Sequence, residues 1–471
     1  MMFDAMENNY WDSAEEKACR AYELYEDGEM EDALQQLEEA IEINPENDAW
    51  FFNAGLTLDA MFRFKSAIAA YDEALRLNPD DPEILNSLAV DYTRIGQYDL
   101  AIATFEQIET LAPDFEPCYC NRIITYTEMD KHDEAEHMFY LAQQLNPDCP
   151  VCFYNIGNSL FSQQNYKRAI WCWLRTAELE PTHPQINYRI AQAYWANGNK
   201  DQSREYFLKA LRKSPGDIDM IFDFGIFLLE CGDIESGKEK FNRVLEFDPD
   251  YGRAYFYLGE IALRGNDLQE AEKQYMLATE HDIELGGPRY RLGQIALESG
   301  DEEVASELIS GELMLDLDDS NILLSIGSML IEMKDYDQAT DCFLRIVDRD
   351  KKCGEGFYHL GICLAMQGDH AGALRFFEHA IEVGYLDGGL LAETAFLQLK
   401  CGQLSLAVRT IGKAEALCEN DRQIRLLKWR IRFACVLRKV KIRFWGRGRN
   451  IAKLLVARCK GKILRMVNRE K

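Results

Sequence analysis

Cysteines are the residues best placed to do chemistry in this chain. Cys149-Pro150-Val151-Cys152 is a C-x-x-C ahead of a helical stretch. A helix N-terminus lowers a thiol pKa, which is the usual route to a redox-active thiolate. Cys118 and Cys120 come shortly before, and Cys118 lies 34 residues ahead of Cys152. Four thiols therefore have the phase to converge on zinc. The strand–helix setting of redox C-x-x-C motifs is missing, however. The expectation is free cysteines packed at a junction, with no metal. The histidines His132, His137, His183, His281, His359, His370 and His379 are dispersed, and none has metal-ligand spacing. There is no phosphate loop and no G-x-S-x-G. Gly446 and Gly448 lack the third glycine and the preceding strand of a dinucleotide fingerprint. The many Asp/Glu pairs read as solvated helix faces. No catalytic residue, cofactor or small-molecule substrate is expected.

What positions these residues is a repeat. Pro45, Pro79, Pro113, Pro147, Pro181, Pro215 and Pro249 recur every 34 residues. The same step links Ala33, Ala67, Ala101, Ala135, Ala169, Ser203, Gly237, Ala271, Ala305, Ala339, Ala373 and Ala407. A third column holds Gly55, Gly157, Gly225, Gly259, Gly293, Gly327 and Gly361, with Ala21, Ala89, Ala191 and Ala395 in phase and Ile123 as the exception. A fourth is large and apolar, from Leu37, Tyr71, Phe105, Phe139 and Trp173 through to Ile411. Small residues let two helices cross closely, and the large ones fill the space beside the crossing. Gly28, Gly96, Gly198, Gly232, Gly300, Gly368 and Gly402 share the phase of the turn between helices, where positive φ is needed. Each proline stops the second helix of its unit.

Period and pattern together resemble the tetratricopeptide repeat. Twelve units of 34 begin at residues 14, 48, 82, 116, 150, 184, 218, 252, 286, 320, 354 and 388, so repeats cover 14–421. Residues 1–13 are a lead-in and 422–471 a basic amphipathic capping helix and tail. The resemblance implies an all-α fold, a right-handed superhelical α-solenoid. After Pro249 the proline column lapses to Ile283, Leu317, Lys351, Tyr385 and Glu419, and Gly286-Gly287-Pro288 interrupts a junction. Either the later five repeats stack with a different twist or a joint lies near residue 285.

In this family the first helix of each repeat lines a concave groove. Its sixth position carries Asn53, Ser87, Asn121 and Asn155, with Asn158 three residues on. Amides both donate and accept, so a row of them can hold the backbone of an extended peptide. The row is similar to the asparagine ladder of the repeat region of O-GlcNAc transferases. It then gives way to Arg189. The fifth position supplies aromatic anchors at Phe52, Tyr154, Tyr188, Phe222, Phe256 and Tyr290. A clamp for C-terminal carboxylates is not expected, because it needs basic residues on consecutive first helices and Arg189 and Arg291 are three repeats apart.

Charge divides the chain. Of its 52 Lys/Arg and 80 Asp/Glu, residues 422–471 hold 18 and one, so the preceding residues carry 34 against 79. The body is thus strongly acidic, which favours basic protein segments as partners. In the tail, Leu426, Trp429, Phe433, Leu437, Val440 and Phe444 form one helical stripe. Its basic residues include Arg438, Lys439, Lys441, Arg443, Arg447 and Arg449. Three uses of the tail stay open: an end cap over residues 422–437, an anchor on anionic membrane surfaces through 438–471, and nucleic-acid binding. Without a basic leader or a long apolar run, the expected location is cytoplasmic, with peripheral membrane contact if the tail anchors. The expected function is a non-enzymatic scaffold that binds peptide or protein segments. The alternatives are a regulatory or targeting subunit of a separately encoded enzyme, or an adaptor tethered through its tail to a membrane or nucleic acid.

Overall fold

A computed structural model describes residues 2–315, 317, 319–418 and 421–444, without the side chains of 2–12, 437 and 439–444. Among the described residues there are 25 helices and no strand. The chain forms two compact units, which meet in sequence between Asp248 and Pro249.

The first unit is seven consecutive hairpins. They pair α1 (Met2–Glu26) with α2 (Met30–Ile43), α3 (Asp48–Ala60) with α4 (Phe64–Leu77), and α5 (Pro82–Arg94) with α6 (Tyr98–Leu111). Next come α7 (Glu116–Glu128) with α8 (His132–Leu145), and α9 (Pro150–Ser162) with α10 (Tyr166–Leu179). The last two are α11 (Ile186–Ala196) with α12 (Lys200–Lys213), and α13 (Ile218–Glu230) with α14 (Ile234–Phe247). The second unit continues the scheme with α15 (Gly252–Arg264) and α16 (Leu268–His281), α17 (Pro288–Ser299) and α18 (Glu302–Leu313), then α19 (Ser320–Glu332) and α20 (Tyr336–Arg349). It ends with α21 (Gly354–Gln367) and α22 (His370–Glu382), α23 (Gly388–Lys400) and α24 (Leu404–Leu417), and a single helix α25 (Arg422–Phe444). Both units are therefore α-solenoids, in which each hairpin buries its apolar face on its sequence neighbours.

The residue columns explain the hairpins. Ala33, Ala67, Ala101, Ala135, Ala169 and Ser203 in the first unit are 0% exposed, as are Ala271, Ala305, Ala339, Ala373 and Ala407 in the second. The partner column is as tight. A Cβ on Gly157 would stand 2.3 Å from the Trp173 indole, and one on Gly361 would stand 2.3 Å from the Phe377 ring. Neither gap admits a methyl group, so the helices cross closely only because the side chain is absent. The indole is fixed in turn, since Trp173 Nε1 donates to the Tyr154 carbonyl at 3.1 Å.

Around residues 286–288 the chain is anchored rather than jointed. Glu312 on α18 is fully buried and accepts from the backbone N–H of Gly287 and, at 3.1 Å, from that of Tyr290. It thereby satisfies donors at the start of α17 that no helical carbonyl can reach. Burial raises the Glu312 pKa, and these backbone hydrogen bonds oppose the shift.

At the end of the second unit, α25 packs on α23 and α24 through Ile424 and Ile431, which are buried beside Leu391, Ala395, Ile411 and Ala414. Lys428 pairs with Glu415 beside this contact. The first part of the expected stripe is displaced: Leu426 and Trp429 are exposed and Phe433 is half-buried, because the groove of α24 takes the Ile424–Ile431 face instead, while the side chains of Leu437, Val440 and Phe444 lie outside the described residues. No described helix is long and apolar enough to cross a membrane.

Candidate functional site

The first helices of the first unit carry the side chains expected to bind. Asn53 on α3 is exposed and borders a recess shared with Ala18, Tyr22, Tyr25, Leu56 and Thr57. Phe52 beside it is half-buried against Tyr71. On α5, the Ser87 hydroxyl donates to the Glu83 carbonyl of its own helix at 3.1 Å. Asn121 on α7 reaches back to α5, its amide donating to Asn86 Oδ1 at 3.1 Å.

On α9 the row closes. Asn155 is 5% exposed, and its amide donates to the Cys120 carbonyl at 3.0 Å. That side chain ties α9 to α7. Tyr154 and Asn158 remain half-buried; the Tyr154 ring lies 4.6 Å from His183, and its hydroxyl is 3.4 Å from Gln185 Oε1. On α11, Tyr188 donates to Asp223 Oδ2 of α13 at 2.6 Å, and Gln192 donates to the same oxygen at 3.1 Å. Burial and that carboxylate hold the Tyr188 phenol well above its ordinary pKa. Arg189 is half-buried, reaching Gln192 at 3.5 Å. Phe222 is 1% exposed and packs on Phe241, so it is a core residue and offers no outward anchor.

In the second unit, Phe256 is half-buried against Tyr275, and Tyr290 is half-buried with Arg291 over its ring at 5.1 Å. Arg291 is itself held by Glu260 through a bidentate pair at 2.6 and 2.9 Å. Of the tail residues, Arg438 is exposed on α25. The side chains of Lys439, Lys441 and Arg443, and the whole of Arg447 and Arg449, lie outside the described residues.

One cluster escapes the sequence reading, and a second differs from it in its members. Arg122 on α7 is nearly buried and binds Glu109 at 2.9 Å, Glu106 at 3.2 Å and the Tyr126 hydroxyl at 3.0 Å. Its position at the centre of three acceptors leaves no sequence signal, since they come from two different helices.

The second cluster is sulfurous. The expected free cysteines are present in part: eleven described cysteines are free, but Cys120 and Cys152 are bonded. Cys149 Sγ lies 3.7 Å from Cys120 Sγ, and Glu116 Oε1 lies 2.9 Å from Cys120 Sγ and 3.3 Å from Cys152 Sγ. Cys118 points away and donates to the Phe105 carbonyl at 3.4 Å. The expected lowering of thiol pKa is reversed. Burial pushes Cys149 up to about 11 and both Cys118 and Cys172 up to about 12. Desolvation of a thiolate outweighs the help of a helix N-terminus here.

The tetratricopeptide repeat profile matches residues 52–114, 154–218, 222–282 and 325–383, more than half of the chain. Among solved structures, yeast Tom70 is similar at 14% identity, covering 91% of this chain and 96% of that one, with a TM-score of 0.40. The Cut9–Hcn1 hetero-tetramer of the APC/C matches at 14% identity over 87% and 95%, TM-score 0.41. TTC0263, a thermophilic repeat protein of Thermus thermophilus, matches at 22% identity over 39% and 100%, TM-score 0.36. No curated protein sequence matches.

Proposed function

This chain belongs to the tetratricopeptide repeat family, whose members serve as protein-interaction scaffolds, and we propose that it holds an extended, basic protein segment along the first helices of its first unit without catalysing a reaction. The observation that supports this most is the run of unburied polar and aromatic side chains at repeat spacing on α3 to α11: Phe52, Asn53, Asn121, Tyr154, Asn158 and Tyr188. Amides at a repeating interval suit a peptide backbone, and half-buried rings suit its side chains. The ring faces are pre-positioned, Tyr154 by His183 and Tyr188 by Asp223, so little entropy is lost when a partner docks. The acidic excess of the body supplies long-range attraction for Lys and Arg. Asn155 and Phe222 act behind this surface as packing groups.

Selection of peptides from a random-sequence library on the full-length chain tests the reading. Enriched peptides should be basic, and their affinity should fall as salt rises. Asn53→Ala with Asn121→Ala should weaken them about ten-fold, on the order of 1.4 kcal/mol. Peptides that bind the double variant as tightly as the parent would show that the segment lies elsewhere.

A further inference from the structure

The sulfur cluster at the junction of α7 and α9 is not used by the interaction surface. Its four members come from two adjacent helix starts. Glu116 opens α7 and Cys120 follows one turn later, so both sit on one face. Cys149 is the N-cap of α9 and Cys152 lies three residues on. One ligand atom from each falls within 4.8 Å of every other, and all three cysteines are buried.

We propose that Glu116, Cys120, Cys149 and Cys152 form a zinc site in the reduced protein. The number and type of donors fit: three thiolates and a carboxylate make a four-coordinate set for a borderline-soft ion with no redox chemistry of its own. In a tetrahedral zinc site the sulfurs lie about 3.8 Å apart, and the 3.7 Å between Cys120 and Cys149 already meets this. The Cys152 backbone N–H donates to Cys149 Sγ at 3.3 Å, a contact that stabilises a thiolate. Two helix N-termini offset the excess negative charge of four anionic ligands.

In the disulfide form the cluster leaves a carboxylate among sulfurs. Once bonded, Cys120 and Cys152 have no S–H to donate. The Glu116 carboxylate then faces their lone pairs at 2.9 and 3.3 Å. Within the cluster it is met by the neutral Cys149 thiol as a hydrogen-bond donor, whereas an ion at the centre of the four would supply a positive partner. Disulfide and ion exclude one another. Opening the bond takes two electrons and two protons: a thiol reductant supplies both and becomes a disulfide, whereas a phosphine supplies the electrons and becomes its oxide, with water giving the oxygen and the protons. Zinc binding then displaces the thiol protons into solvent.

The test uses the full-length chain, reduced with a phosphine, stripped of metal and kept anaerobic. Titration with Co2+ should give thiolate-to-metal charge transfer and intense tetrahedral visible bands that saturate at one ion per chain and vanish on adding Zn2+. Cys149→Ser should abolish the signal, Glu116→Gln should weaken binding at least ~10-fold, and Cys401→Ser at an exposed cysteine should leave it unchanged. A reduced, helical chain that shows no charge transfer, or Cys149→Ser that binds like the parent, overturns the proposal. Zinc content and thiol count of the native chain, purified under reduction without added metal, do not depend on any variant folding. One zinc with no Cys120–Cys152 bond supports the site; an intact bond without zinc refutes it.

Discussion

Phe62 sits in the left-handed region, φ 59°, with its ring 80% exposed. It occupies the inter-helix turn at which seven other repeats place glycine with positive φ, and Asp130, Gln164, Asn266 and Lys334 are held there in the same way. A bulky L-residue is strained in this conformation by about 1–2 kcal/mol. Phe62→Gly relieves the strain but returns some entropy to the unfolded chain, so the net gain should be up to about 1 kcal/mol, read as a higher urea midpoint. Buried Asp91 stores a different cost. Desolvation raises its pKa from 3.8 to about 6. The folded state therefore keeps a proton that the unfolded chain has already released. Stability from this group is complete below pH 4 and is lost as pH rises through 6. Asp91→Asn should leave stability near pH 4 little changed and raise it at pH 8 by about 1–3 kcal/mol. Equal shifts at both pH values would remove titration as the cause.

At the scale of the element, the second helices of five consecutive hairpins share one kind of start. Asp233, at the close of the first unit, and Asp267, Asp301, Asp335 and Asp369 in the second are spaced by 34 residues. Each caps the second helix of its hairpin, accepting from the backbone N–H three residues on at 2.9 to 3.4 Å. Replacing one, for example Asp335→Ala, should cost about 1 kcal/mol, whereas Asp335→Asn should cost little. Chemical denaturation of the pair separates lost capping from lost charge. This column holds in five consecutive repeats, but it is hard to read in sequence because aspartates in an acidic chain look like solvated surface. The alanine and glycine columns are legible because a close helix crossing has one physical solution, the absence of side chain. The face of α25 is not. Ile424 and Ile431 lie at as good a helical spacing as Leu426 and Trp429, and only the position of α24 decides between them. The candidate site is half legible for the same reason. Repeat phase tells which way Asn53 and Asn155 leave their helices, but the neighbour that covers Asn155 is a property of stacking.

At the scale of the whole molecule, a solenoid has contacts only between neighbours, so damage should stay local. The chain's two compact units divide at Asp248 and Pro249. Trp173 is the largest fully buried side chain of the first unit, and it packs in a cluster running from Tyr119 to Ala193. Trp173→Ala removes about 3–5 kcal/mol of packing. A single-core globule would distribute that loss over every amide through one cooperative transition. Here the loss should appear as faster hydrogen exchange over residues 118–195. The cluster around Phe343 and Phe377 should keep its protection, since its members all belong to the second unit. Exchange measured by mass spectrometry on the full-length variant distinguishes the two. Uniform acceleration in both units would mean that the repeats unfold as one body, and the nearest-neighbour account of this chain would have to be abandoned.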